Sequence, residues 1–266
     1  MYSGTSGLPQ DYNTKLLQGK IPGYSVVNKF GRNIQIDSGV TADIWDGGYT
    51  ASASLLWVPP TVARIHQITS TQAADDDGST GTQTIQVYGL KTWSSLETSE
   101  VITMNGVTNV PTGSYVIIHR MKQLTAGSGG TNAGIITATA DSDATVTAQI
   151  LAGQGQTQMA IYGIPTGVTA YMGQFYGSLN KSGGAATGNC DMSLRVNSEP
   201  DSQSSAFVVK HTLGLALTGT SALLMKYAVP NKFTGPAIIL LRGASSVNGL
   251  DVSAGFDLVL HNTAYP

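Results

Sequence analysis

From about residue 55 onward the chain is a series of short β-branched or alternating runs separated by turn residues, and this pattern most constrains its fold. In the stretch 191–196 the apolar residues Met192, Leu194 and Val196 share one face and the polar residues share the other. The pattern predicts strands over residues 62–70, 84–88, 100–104, 114–121, 135–140, 144–151, 158–164, 169–179, 191–196, 206–213, 221–229, 237–241 and 256–261.

The composition favours the same fold class. Only 11% of the residues are Asp, Glu, Lys or Arg, whereas an ordinary soluble domain has about a quarter. Residues that favour helices are therefore scarce, and the 32 glycines supply tight turns. The sequence predicts an all-β protein and argues against a helical bundle or an alternating α/β fold.

Two groups of predicted strands resemble each other. Val58-Pro59 and Ile164-Pro165 each precede a strand, a Gly-rich break and an alternating strand, at an offset of 165 − 59 = 106 residues. Each group also closes with a Gly-rich segment and an apolar strand. We predict two tandem antiparallel β-sandwich modules, jelly-roll or Ig-like, over residues 51–152 and 153–266. A single larger sandwich is the alternative.

Residues 1–50 have no sustained apolar period and are interrupted by glycine and proline, so they are predicted to form an extended N-terminal arm. An ordered arm needs contacts that offset its lost conformational entropy, and a neighbouring subunit could supply them. Alternatively the arm lies along its own domain or starts with a short helix near residues 12–17. The candidate anchoring residues are Tyr12, Lys15, Lys20, Tyr24, Lys29, Phe30 and Arg32.

Charge and cysteine content exclude several classes of protein. The net charge of −2 gives no global attraction to nucleic acid or to an anionic membrane. Cys190 is the only cysteine, so no disulfide can form within one chain. No secretory signal or membrane span is recognisable, which predicts synthesis in a cytoplasm-like compartment.

The sequence offers no convincing catalytic, cofactor or metal site. The 4 histidines are too far apart in the sequence to form a metal-binding pair, so they are predicted to be ordinary residues of strands. The segment 75–81 has the alternating oxygen ligands of a calcium loop, but Gln86 stands where an EF-hand has its bidentate Glu, so a polar turn is predicted. Asp141 and Asp143 likewise indicate a tight turn.

The densest group of aromatic residues could form a carbohydrate platform, although aromatic residues in strands are usually core or interface residues. The group comprises Tyr162, Tyr171, Phe175 and Tyr176, with Tyr115 and Trp57 earlier in the chain.

Several turn and strand segments resemble a known group of proteins. These are residues 36–48, 82–90, 124–134, 152–157 and 251–258. Together they resemble virion structural proteins of tailed bacteriophages, including phages of marine and freshwater bacteria, over most of the chain beyond residue 30. The resemblance implies a particle component without catalytic residues, and does not distinguish head, neck and tail.

We therefore expect a non-enzymatic virion structural protein, in the first place a capsid decoration or cement protein made in the host bacterial cytoplasm. Its expected partners are the major capsid protein, other virion proteins and itself, as a homo-oligomer with a trimer preferred. Neither nucleic acid nor membrane is an expected partner. The alternatives are a tail or neck protein, such as an adaptor or fibre-associated protein, and a carbohydrate-binding or depolymerising host-recognition protein.

Overall fold

The computed structural model describes residues 12–49, 55–59, 61–181, 187–202 and 206–265. It confirms the predicted all-β class, since the described part has sixteen strands, one short helix and one 3-10 turn. Helix α1 spans Tyr12–Leu17 and the 3-10 turn spans Asp46–Gly48. The strands are β1 (Tyr24–Ile36), β2 (Thr41–Asp43), β3 (Arg64–Ser70), β4 (Thr82–Leu90), β5 (Thr98–Thr103), β6 (Val110–Tyr115), β7 (Ile117–Ala126), β8 (Ile136–Ala140), β9 (Val146–Ile150), β10 (Ile161–Ile164), β11 (Val168–Lys181), β12 (Asn189–Asn197), β13 (Val208–Ala216), β14 (Ala222–Thr234), β15 (Ala237–Ser245) and β16 (Leu250–Asn262).

The strands form four antiparallel sheets. Sheet 1 has the order β1-β16-β11-β14, and sheet 2 has the order β10-β15-β12-β13 with β2 beside β15. Sheet 3 has the order β6-β3-β8-β9, and sheet 4 has the order β5-β4-β7. Each predicted strand overlaps an observed one, although the predicted run 114–121 covers parts of both β6 and β7.

Two hydrophobic cores hold the sheets together, and sheet 2 contributes to both. The C-terminal core lies between sheets 1 and 2 and includes Ile239 and Leu241 of β15. The N-terminal core is built mainly from sheets 3 and 4, but it also contains Ile238 and Leu240 from the opposite face of β15. Because successive side chains of a strand point to opposite faces, β15 is buried on both sides. The two halves therefore share sheet 2.

The first strand corrects the prediction of an extended arm over residues 1–50. β1 pairs with β16 from Tyr24 opposite His261 to Ile36 opposite Leu250, so it belongs to the chain's own sheet 1. It also touches the rest of the fold closely, because a Cβ on Gly31 would lie 2.3 Å from the carbonyl oxygen of Ile44. Tyr24–Ile36 therefore lies along its own domain, and contact with a neighbouring subunit stays a prediction.

The alternative interpretation of the N-terminal segment agrees with the structure. A short helix occupies Tyr12–Leu17, and Leu16 is its buried residue. The chain then runs along its own domain as β1. The predicted arm also contains β2, which pairs with β15, and the 3-10 turn, while its residues 1–11 and 50 lie outside the described residues.

Membrane insertion through a helix finds no support in the described ranges. None of the helices there combines the length and the apolar character that crossing a bilayer requires.

Candidate functional site

A cluster of polar side chains, of which Lys29, His119 and Tyr162 are buried and Glu97 is exposed, lies where β1 meets the N-terminal half. Four separate elements supply its members, which are Lys29 of β1, Glu97 before β5, His119 of β7 and Tyr162 of β10. We call these four residues the junction cluster. Lys29 Nζ donates a hydrogen bond to the backbone oxygen of His119. His119 Nε2 lies 2.6 Å from Glu97 Oε2, and the rings of His119 and Tyr162 have centroids 4.6 Å apart.

Burial and neighbouring charges set the protonation of the junction cluster. Burial lowers the pKa of Lys29 well below its usual range, and the charge of Arg120 acts in the same direction. Burial also lowers the pKa of His119, although the hydrogen bond with Glu97 opposes this. Burial alone would raise the pKa of Glu97, but its hydrogen bond with His119 and the nearby cations bring that pKa below its usual value. Glu97 is thus the carboxylate that accepts the Nε2–H of a neutral imidazole.

The junction cluster does not assemble a base and a nucleophile within the described ranges. Triad chemistry needs a hydroxyl or thiol within hydrogen-bond reach of the free imidazole nitrogen. His119 Nδ1 is buried and has no such partner among the residues that the structure describes. The contacts of the cluster connect β1 to β7 through Lys29 and β7 to β10 through the ring contact of His119 with Tyr162.

Two adjoining cavities flank the junction cluster along β1. The larger one, of about 400 Å³, runs from Gly23 to Val27 and reaches Leu96 and Glu97. The smaller one, of about 300 Å³, is bordered by β1 from residue 26 to residue 30 and by β7 from residue 119 to residue 122. Both cavities include Val26, Val27, Glu97 and Tyr162 in their walls. We call the two together the junction groove.

The candidate anchoring residues do not form one exposed basic surface. Lys29 is buried in the junction cluster, and Arg32 Nε donates to Asp251 Oδ1 at 2.9 Å. The ring of Tyr24 stacks on that of His261, with centroids 4.4 Å apart.

The other anchoring candidates are distributed along the same segment. Tyr12 begins helix α1, and Phe30 is half-buried on β1. Lys15 and Lys20 are exposed. Among the anchoring candidates whose side chains the structure describes, Lys15 and Lys20 are the most accessible to a partner.

The segment predicted to be a polar turn is built around one buried carboxylate. Asp75 accepts hydrogen bonds from Ser70 Oγ at 2.6 Å and from the backbone amides of Thr82, Ala133 and Gly134, each at 2.8 Å. The carboxylate oxygens therefore bind groups of the protein itself and stabilise the turn. Among the described residues no group of three or more His, Cys, Asp or Glu side chains could hold a metal ion.

Most of the aromatic residues singled out from the sequence are buried, as expected for strand residues, whereas two of the 4 histidines are buried and His211 and His261 are half-buried. Of the six aromatic residues singled out from the sequence, four are buried, namely Trp57, Tyr115, Tyr162 and Phe175. Tyr171 and Tyr176 are half-buried on sheet 1. His66 and His119 are buried. The group does not form a row of exposed rings.

A second buried carboxyl lies beside β1. Asp46, in the 3-10 turn, is 3% exposed and its Oδ2 accepts the amide of Gln158 at 2.9 Å. Burial raises its pKa to about 7, although the amides of Gln158 and Leu151 and the charge of Arg32 lower it in part. Folding therefore favours the protonated form of this side chain.

Asp46 is expected to make the protein less stable as the pH rises through the weakly acidic range. Its pKa is about 7 in the folded chain and near 3.8 when unperturbed, so the folded state keeps a proton that the unfolded state has lost. The free energy of unfolding should then fall by up to about 4 kcal/mol between the two pKa values. Denaturant unfolding of the wild type and Asp46→Asn from about pH 5 to about pH 7.5 would measure this. A wild-type-to-variant difference that does not change with pH would contradict it.

Several exposed apolar side chains lie on two edge strands that the sequence could not distinguish from interior strands. β13 ends sheet 2 and β14 ends sheet 1, and the two strands follow each other in the chain. Their most exposed apolar residues are Val208 (57%), Val209 (45%), Leu224 (47%) and Val229 (81%). We call these four residues the apolar edge. Alternation predicted the strands, but an edge position depends on the sheet order.

No protein-family model matches the chain, and no curated protein matches it. Among solved structures, the chain is similar to one described as "Structure of infectious bursal disease virus Gx strain", at 11% identity over 91% of this chain and 74% of that chain. The TM-score of that superposition is 0.26, which is too low to carry an argument about fold or function.

Proposed function

We propose that this chain is a non-enzymatic structural protein of a virion, and specifically a capsid decoration or cement protein that packs against the major capsid protein. The observation that carries the proposal is the apolar edge, where β13 and β14, each paired on one side only in the described part of the chain, expose four apolar side chains. Monomeric proteins usually protect such edges, and exposed apolar surface marks sites of association. A protein whose role is to attach to a particle needs a surface of this kind.

The surroundings of the apolar edge support a specific contact over general aggregation. Lys226 and Lys232 lie on β14, and Pro230 lacks a backbone donor there. Charged residues and proline on an edge strand discourage uncontrolled strand pairing. The edge is therefore suited to side-chain packing against a defined partner. We propose the same surface for self-association, with a trimer as the preferred state.

We also infer that the two halves are repeated sandwich modules. In each half the strand after the X-Pro dipeptide pairs with the closing strand, as β3 with β8 and β11 with β16. In each half the following strand, β4 or β12, lies inside the other sheet. This correspondence and the two cores support a repeated unit, and the shared sheet 2 accounts for their close attachment.

The decisive measurement is whether purified protein binds particles that lack it, and with what copy number and position. We expect Val229→Asp to weaken particle binding by about tenfold or more, because a buried apolar contact would become a buried charge. Val101→Asp is the matched control, since Val101 is an exposed valine of β5, on another sheet. Equal weakening by both variants, or no change with either, would show that the apolar edge is not the contact.

The same experiment separates the alternatives. A position on the neck or tail would replace the cement role with that of an adaptor or fibre-associated protein. Binding to host polysaccharide in the absence of particle binding would favour the host-recognition role instead. Mass measurement in solution tests the trimer independently of either result.

A further inference from the structure

The outer edge of β1 presents the backbone groups of Val26 and Phe30 to the junction groove, whereas the carbonyl of Asn28 and the amide of Arg32 already have partners. β1 ends sheet 1, and in the described part of the chain it pairs only with β16. Asn28 O accepts from Arg120 Nη2 at 2.7 Å, and Arg32 N donates to Gln158 O at 3.4 Å, so both residues face away from β16. Alternation along the strand places the amide and carbonyl groups of Val26 and Phe30 on the same side. These groups can form a ladder with another strand.

The junction groove has the length that an added strand requires. Its two cavities border β1 from Gly23 to Phe30, with volumes of about 400 and 300 Å³. An extended peptide rises about 3.3 Å per residue, so a segment of about five residues could lie along Val26–Phe30. The opposite wall is formed by Glu97 and by β7. A peptide in the groove would therefore have sheet 1 on one side and side chains of the N-terminal half on the other.

The charges of the groove select an acidic peptide. Arg120 and Lys122 extend from β7 into the wall, and Lys122 is exposed. The one carboxylate of that wall, Glu97, already has His119 as its partner. Arg120 and Lys122 outnumber the single negative charge of Glu97, so the net charge of this wall is positive, and charge complementarity favours carboxylates opposite the two cations. Val26 (40% exposed) and Leu96 (56% exposed) offer apolar contacts to the side chains that alternate with those carboxylates.

We propose that the junction groove binds an extended segment of a partner protein with alternating apolar and acidic residues, which adds to the outer edge of β1 as a fifth strand of sheet 1. Main-chain hydrogen bonds to Val26 and Phe30 give affinity, and the cations of β7 give selectivity. This inference stands on the groove alone and does not require the virion role.

The test uses the full chain and a short synthetic peptide that alternates valine and glutamate. Titration followed by NMR is expected to show binding, with slowed hydrogen exchange at the amides of Val26 and Phe30. Lys122→Glu should weaken binding about tenfold, whereas Lys210→Glu, on an exposed lysine of β13, should change it less than about twofold. A peptide with N-methylated alternate amides, and one with lysine in place of glutamate, should both bind at least about tenfold more weakly.

Three results would overturn the inference. No binding of the valine–glutamate peptide at millimolar concentration would exclude the site. Equal binding of the N-methylated peptide would indicate a charge contact without strand addition. Tighter binding of an anionic oligosaccharide, with unprotected Val26 and Phe30 amides, would assign the groove to a different ligand. All these measurements are made without particles, so their failure is distinguishable from failure of the proposed virion role.

Discussion

Replacing Asp75 with alanine is expected to lower the free energy of unfolding by about 4 kcal/mol or more. The Asp75 carboxylate is fully buried and accepts four hydrogen bonds, three of them from backbone amides in two separate loops. Alanine would leave those donors without an acceptor, and each buried unsatisfied group costs about 1–3 kcal/mol. Urea unfolding of the purified variant measures the loss.

A neighbouring carboxylate provides the control for Asp75. Asp76 is half-buried and its side chain accepts from the adjacent amide of Asp77 at 2.9 Å. Asp76→Ala should therefore change the free energy of unfolding by less than about 1 kcal/mol. If Asp75→Ala were equally mild, the hydrogen bonds of Asp75 would not hold the two loops. If added calcium raised the unfolding temperature of the wild type but not of Asp75→Ala, the ion-binding interpretation of this segment would replace the structural one.

Alternation in the sequence predicted the strands well because it reports directly on a half-buried sheet. In β12, Met192, Leu194 and Val196 are all buried, as the pattern 191–196 indicates. The opposite face is less exposed than a simple alternation implies, since Ser193 is buried and Arg195 is half-buried. Other parts of the structure cover this polar face in part, and the alternation of a single strand does not show which elements pack against it. The pattern therefore predicted the element correctly and its surroundings only in part.

β1 escaped prediction because the residues that it buries at the junction are not apolar. Lys29, Gly31 and Asn33 alternate along the strand and are all buried. Each has a specific reason, since Lys29 donates to His119 O, Gly31 lets the backbone approach Ile44, and Asn33 donates to Asp43 O at 3.3 Å. A hydrophobic periodicity cannot detect such a face. The junction cluster was missed for the same reason, because residues 29, 97, 119 and 162 come together only through the topology.

Removing residues 1–36 is expected to abolish cooperative folding, which is a larger effect than the one expected for Asp75→Ala. The deletion would remove β1, expose the edge of β16 over its paired length, and take fully buried Ile36 out of the C-terminal core. It would also remove Lys29, which connects sheet 1 to His119. Several losses of about 1–4 kcal/mol each would together exceed the typical stability of a domain, about 5–15 kcal/mol. Circular dichroism and thermal unfolding of the truncated chain should show no native transition.

A shorter deletion distinguishes the fold of β1 from an anchoring role of the segment before it. Removing residues 1–11 leaves helix α1 and the pairing of β1 with β16 in place, so comparing the thermal unfolding of this variant with that of the chain without residues 1–36 isolates the contribution of β1. If the shorter deletion abolished binding to particles, an anchor would lie within residues 1–11, and β1 would act only in folding. If the chain without residues 1–36 folded normally, the strand pairing of β1 with β16 would be dispensable. That result would favour the extended-arm interpretation, because a strand that the fold does not need can pair with a neighbouring subunit instead.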